Sequence, residues 1–235
     1  MHSGDGGVLL HLHGSVFKDL LGPGEPFGYG TAAVGRNKLW EELQNAYGEV
    51  GEQKRLSTLT LDMIGGVETT TYPKLSAKCN ESKRLVKPIL ALLLKHNHGS
   101  SRAAHRIQCY KRLDKMNAVM SEGGLFLSNV AATELLSCCE AFMQHYSWLA
   151  ADSMEKGLLR YNAVPKLHYL WHIAYFSRFQ NPKAVSCYSF EDFVGRIQRI
   201  CRSCTQGTAM HKVPHKVFRN YRSGMSRVLC QRTQT

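Results

Sequence analysis

"SNVAATELLSCCEAFMQHYSWLAADSMEKG", residues 128–157, decides the fold. It is the longest stretch with helical spacing, and its apolar residues cover much of the circumference, which predicts a helix at the centre of a bundle. The segments before it read the same way. "SSRAAHRIQCYKRLDKMNAVM" (100–120) runs into Gly123-Gly124, a helix stop. "SAKCNESKRLVKPILALLLKH" (76–96) puts Leu85, Ile89, Leu92 and Leu93 on one face and predicts a kink at Pro88.

Further out the pattern holds on the C-terminal side. "PKLHYLWHIAYFSRF" (165–179) opens on Pro165 in a first-turn position, with Leu167, Leu170, Trp171, Ala174 and Phe176 as its apolar residues. "SFEDFVGRIQRICRSC" (189–204) has Ser189 as an N-cap and two acids in the first turn, where the helix dipole favours them. "TAMHKVPHKVFRNYRSGMSRVL" (208–229) reads as one or two basic helices interrupted by Pro214. Toward the N-terminus, "NKLWEELQNAYGEV" (37–50) predicts an amphipathic helix capped by Asn37. "RLSTLTLDMIGG" (55–66) is ambiguous between strand and helix, and "ETTTYPKL" (68–75) reads as a loop. Residues 1–36 are rich in Gly and read as irregular, apart from one short apolar piece, "VLLHLHGSVFKDLLG". The fold class is therefore mainly α: a helical bundle over 37–235 with a weakly specified N-terminal strip over 1–36.

The totals bound the function. The 235 residues carry a net charge of +12 with 43% hydrophobic content, so the chain is long enough and apolar enough to fold around a core. No run reaches the ~20 apolar residues of a membrane span, and the N-terminus does not read as a secretory signal. The eight cysteines are irregularly spaced, with Cys138 and Cys139 adjacent, which points to reduced thiols in a cytosolic or nuclear compartment.

Charge is distributed unevenly. Residues 160–235 hold 13 Lys+Arg and 2 Asp+Glu, whereas residues 1–159 hold 17 and 16. A basic third of this kind favours a polyanion, DNA or RNA, the alternatives being an acidic protein partner or a basic face kept only for solubility. The candidate contacts are Arg196, Arg199, Arg202, Lys212, Lys216, Arg219 and Arg222, with Phe218 and Tyr221 interleaved, either to stack on bases or to anchor the helix.

Metal chemistry has two candidates. His168 and His172, at i and i+4, share a helix face but lack the glutamate of a zinc protease motif, so packed, hydrogen-bonded histidines are the plainer reading. Cys201, Cys204, His211 and His215 have zinc-ligand types, but the gap between the pairs is far shorter than the ~12 residues of a C2H2 finger. A tight reversal at "TQG" would be needed to bring them together. No phosphate-binding glycine loop, nucleophile elbow or other motif points to a small-molecule substrate.

The stretch 165–208, with Leu167-His168, His172, then Tyr188, Phe190, Glu191, Asp192, Phe193 and Gly195, then Gly207-Thr208, resembles the domain of unknown function that follows the catalytic core of CACTA (En/Spm-type) transposases of eukaryotes. "SKRLVKPILALLLKH" is similar to the helix that opens that domain, and "VLLHLHGSVFKDLLG" to the end of the core. In the latter, Asp5 is one residue out of register and Leu9 occupies a histidine position. The resemblance covers about two-thirds of the chain. It implies ancestors that cut DNA with an RNase-H-like fold, three acidic residues and two Mg²⁺ ions. Glu191 is then the candidate third acid, the first is expected upstream of Met1, and the second is missing or displaced. The expectation is a nuclear, transposon-derived module that binds nucleic acid, as an oligomer or with a transposase core, and does not cleave alone. One alternative is half of a split, Mg²⁺-dependent DDE-type nuclease. Another is a helical interaction domain for an acidic partner.

Overall fold

The computed structural model describes residues 7–53, 55–65, 70–184 and 188–232, with backbone alone for 188–193, 195, 196 and 225–232. It divides into two compact units, Met1–Val185 and Ser186–Thr235. Among the described residues every regular element is helical and there is no strand.

The larger unit is built around its first helix, α1 (Leu9–Leu20), in which ten of twelve residues are buried. The short apolar piece set apart within the otherwise irregular 1–36 strip is therefore a helix, and it fills the core that was expected to centre on 128–157. Glycines on both sides disguise α1, and its buried set includes His13, Ser15 and Asp19, which a purely apolar pattern leaves out. Each is instead satisfied across the fold. His13 Nε2 lies 2.9 Å from the Ser82 carbonyl and Nδ1 2.6 Å from Tyr110 Oη. A carbonyl only accepts, so Nε2 carries the proton and Nδ1 accepts from the Tyr110 hydroxyl. Ser15 Oγ accepts from the Tyr161 amide at 2.8 Å. Gly14 lets an extended segment cross α1 at contact: a Cβ there would stand 2.8 Å from the Lys74 nitrogen, and next door the Leu75 amide donates to the Leu10 carbonyl at 2.9 Å.

Asp19 is the hub of a buried ionic cluster. The Arg102 guanidinium holds its carboxylate in two bonds of 3.0 Å, and Tyr161 Oη donates to it at 2.5 Å. Arg102 also bonds Asp152 and Ser153, and Arg106 grips Glu25 with two contacts of 2.9 Å. Burial works against the Arg102 charge, but the bonds to Asp19 outweigh it and hold the guanidinium firmly protonated. Pairing of this quality is what permits charges in a core at all.

The remaining helices wrap α1. α2 (Ala32–Glu49) starts five residues before Asn37, because Thr31 caps it by accepting from the Val34 amide at 3.4 Å. The ambiguous 55–65 region is extended with a single 3₁₀ turn, Asp62–Ile64, that buries Ile64. α3 (Cys79–Arg84) and α4 (Val86–Lys95) break at Leu85, so the interruption expected at Pro88 falls one turn earlier, where the proline ring has no N–H to offer residue 84. α5 (Ser101–Glu122) begins on the Ser100 hydroxyl, which accepts from the Ala103 amide at 3.1 Å, and stops at Gly123. Its terminal carbonyls are met by the buried Asn181 amide, 2.9 Å from Met120 O and 2.8 Å from Gly124 O.

α6 (Asn129–Glu155) is the long helix expected from 128–157, with Ser128 as N-cap. Its buried stripe, Leu135, Cys139, Phe142, Tyr146 and Leu149, follows i+3/i+4 spacing against α5 and α7 (Lys166–Phe176). Thr133, Ser137, Glu140, Gln144 and Ser147 on its other side are exposed, so α6 flanks the core and α1 fills it.

The smaller unit is a helical hairpin of α8 (Tyr188–Thr205) and α9 (Val213–Arg232), joined through a 3₁₀ turn at Met210–Lys212. α8 begins at Tyr188, so Ser189 lies inside the helix and not ahead of it. Pro214 is the second residue of α9 and starts that helix without interrupting it, since first-turn amides have no intrahelical acceptor.

Candidate nucleic-acid interface

The hairpin is pinned from inside by Cys204, which is fully buried and receives a hydrogen bond from Asn220 Nδ2 at 3.3 Å. The chain reverses after α8 at Gly207, whose φ of 64° lies in the left-handed region that favours glycine. This is the reversal the four-ligand zinc reading requires, but the ligands do not gather. Cys201 is half-buried and Cys204 buried, while His211 and His215 are exposed. Among the described residues no three of His, Cys, Asp and Glu are placed to hold a metal ion. The physical reason is that the helix continues through both cysteines, and Cys204 is consumed by packing against α9.

The basic side chains are placed differently. Arg199 and Arg202 on α8, Lys212 in the turn, and Arg219 and Arg222 on α9 are all exposed. Lys216 is half-buried and its ammonium donates to Thr208 Oγ1 at 2.8 Å, so it braces the turn. Successive residues three apart on a helix are offset by about 60°, so Lys216, Arg219 and Arg222 fall within roughly a third of the circumference of α9. Phe218 is 63% exposed, with the Arg222 guanidinium 5.9 Å from its ring centroid. Of the two roles open to Phe218, anchoring the helix is thereby removed, and an accessible π-face beside a cation remains. From Phe193 to the end the sequence contains nine Lys+Arg and no Asp or Glu. The side chains of Glu191 and Arg196 lie outside the described residues.

Sequence reading also missed a surface in the larger unit. α7 buries Leu170 and Ala174, yet on its opposite side Tyr169 (56% exposed), Phe176 (52%) and, just beyond, Phe179 (62%) stand in solvent around an open groove that His172 and Pro182 help to line. The Arg178 guanidinium sits 4.3 Å from the Tyr175 centroid and 4.8 Å from that of Phe179. The signal was present as a second aromatic stripe, Tyr169–His172–Phe176, on the face away from Leu170. Counting Phe176 with the core obscured it. His168 and His172 are hydrogen-bonded, as expected, and their partner is each other, with Nε2 atoms 2.8 Å apart. A comparable pair, His105 and His145, joins α5 to α6 with Nδ1 atoms 3.0 Å apart, and His105 stacks on Trp148 at 3.9 Å. No helix among the described residues is long and apolar enough to cross a membrane.

Comparison with known proteins adds no relative: no family model, no curated protein and no solved structure matches the chain.

Proposed function

We propose that the chain is a transposon-derived helical module that binds nucleic acid, in the nucleus, through the basic hairpin α8–α9. One observation carries the reading. The described cations of the hairpin other than Lys216 are exposed, in a segment with no acid after Asp192. Such an array meets phosphates as point charges and releases their counterions, giving affinity without sequence preference. Phe218 and Arg222 add a face on which a base can stack. The origin rests on the resemblance of 165–208 to the transposase-associated domain.

Fluorescence anisotropy with a 20-nucleotide duplex and a single strand, across a KCl series, tests the reading. Binding is expected to weaken steeply with salt. Reversal of four charges, R199E/R202E/R219E/R222E, is expected to flatten the log–log slope by roughly 3–4 and to lower affinity by more than 100-fold at low salt. Absence of binding at 50 mM salt, or a quadruple variant that binds as well as wild type, defeats it. Tighter binding to polyglutamate than to either nucleic acid would transfer the hairpin to an acidic protein partner.

A further inference from the structure

The outer face of α7 is more than an accident of packing. Its open groove has a volume of about 510 Å³, and none of the described residues lining it is charged. The rings along it continue one another. His172 and Phe176 have centroids 6.0 Å apart with 15° between planes, and Phe176 and Phe179 are 6.2 Å apart at 30°. Both spacings lie within the range of stacked aromatic pairs. Tyr169, Phe176 and Phe179 are nonetheless more than half exposed, so the strip offers π-faces to solvent on a scale that marks a binding surface.

Arg178 indicates the chemistry of the occupant. Its guanidinium rests against the Tyr175 and Phe179 rings and donates to Tyr175 Oη at 2.9 Å, which leaves its other N–H groups available. Among the described residues no carboxylate pairs with it. From Lys156 to Phe190 the sequence has five Lys+Arg and no Asp or Glu, and the exposed Lys183 directly follows Pro182 of the groove. Glu140 of α6 accepts from Trp171 Nε1 at 3.3 Å and is not among the lining residues. An apolar protein segment laid on this face would strip water from an arginine and give it no anion in return. A single nucleic-acid strand brings a flat base to each ring and a phosphate to the guanidinium, whereas a duplex keeps its bases stacked on each other. We infer that the α7 groove binds single-stranded nucleic acid, with bases stacked on Tyr169, Phe176 and Phe179 and a phosphate held by Arg178. The site lies wholly within the larger unit and does not depend on the hairpin's role.

The test uses the full chain with R199Q/R202Q/R219Q/R222Q, so that the hairpin's contribution is removed beforehand. Fluorescence anisotropy compares an oligothymidylate of about 12 nucleotides, the same backbone without bases, and a duplex. The oligothymidylate is expected to bind at least tenfold more tightly than either of the others. Adding F176L/F179L keeps the groove apolar but removes two rings, and is expected to weaken that binding by roughly tenfold or more, while F176Y/F179Y stays within about threefold of the parent. These positions are exposed, so both pairs are expected to fold. R178Q is expected to flatten the log–log salt slope by about 0.7. The inference is overturned if F176L/F179L binds the strand as well as the parent, if the base-free backbone binds equally well, or if no strand binds at about 50 mM salt. Self-association in sedimentation runs that F176L/F179L abolishes, with no strand bound, would overturn it too and assign the groove to a second copy of the chain.

Discussion

His13 Nδ1 accepts the Tyr110 hydroxyl across 2.6 Å of buried core, joining α1 to α5 over 97 residues of chain. Burial lowers the His13 pKa to about 4, so the imidazole is neutral in the folded state. In the unfolded chain it titrates near its ordinary 6.5. The contribution is therefore complete above pH 6.5 and is lost as pH falls toward 4, where both states are protonated. The difference corresponds to about 3 kcal/mol. Urea unfolding of wild type and H13Q at pH 7 and pH 4 should show the variant losing about that much less over the interval, though it starts less stable. Equal losses would mean that His13 is not neutral in the fold.

Asp19→Asn removes the acid that Arg102, Arg106 and Arg160 share. The expected loss is about 3–5 kcal/mol, because guanidinium charge is left buried and less well paired. D19N/R102M should recover part of it, and a double-mutant cycle in guanidinium chloride measures the coupling. Additive losses would show that the pair is not coupled.

Asn181→Ala strips the end of α5 of its side-chain donor to Met120 and Gly124. A fall of about 1–3 kcal/mol is expected, together with faster amide exchange in the turn where the Leu125 carbonyl accepts from the Asn181 amide at 2.9 Å. A variant as stable as wild type would show that water replaces the side chain at no cost.

Thiol chemistry should separate the cysteines. Cys109 is buried and Cys139 is pushed up to about 12 by burial first and the nearby Glu140 charge second, so neither forms thiolate at pH 8. Iodoacetamide labelling with peptide mapping is expected to mark the half-buried Cys201 at least tenfold faster than Cys109, Cys139 or Cys204, with the difference vanishing in denaturant. Equal native rates would contradict the packing of α5 and α6.

Sequence legibility follows how local each determinant is. Helices α5 and α6 were readable because Ser100, Ser128 and Gly123 act within a turn of the residues they organise. α1 was not, since what suits His13, Ser15 and Asp19 to a core lies at Ser82, Tyr110, Arg102 and Tyr161. Asn37 looked like a cap because the short-range pattern begins there, while the hydroxyl that does the work is six residues earlier at Thr31. The exposed cations of the hairpin were legible from charge alone.

That return path has a consequence for how the protein is made. Tyr161 closes on Ser15 and Asp19, 146 and 142 residues earlier. At ribosomal speeds of about 5–20 residues per second, α1 waits roughly 7–30 s between leaving the exit tunnel and meeting its last partners. Until then its leucines and Phe17 can be covered only in part, by the segments around Leu75, Ser82, Arg102 and Tyr110 as each emerges. The helix that ends up most buried is thus the one most in need of a chaperone during synthesis, and slowing translation between codons 20 and 161 should lower the yield of native protein more than slowing it afterward.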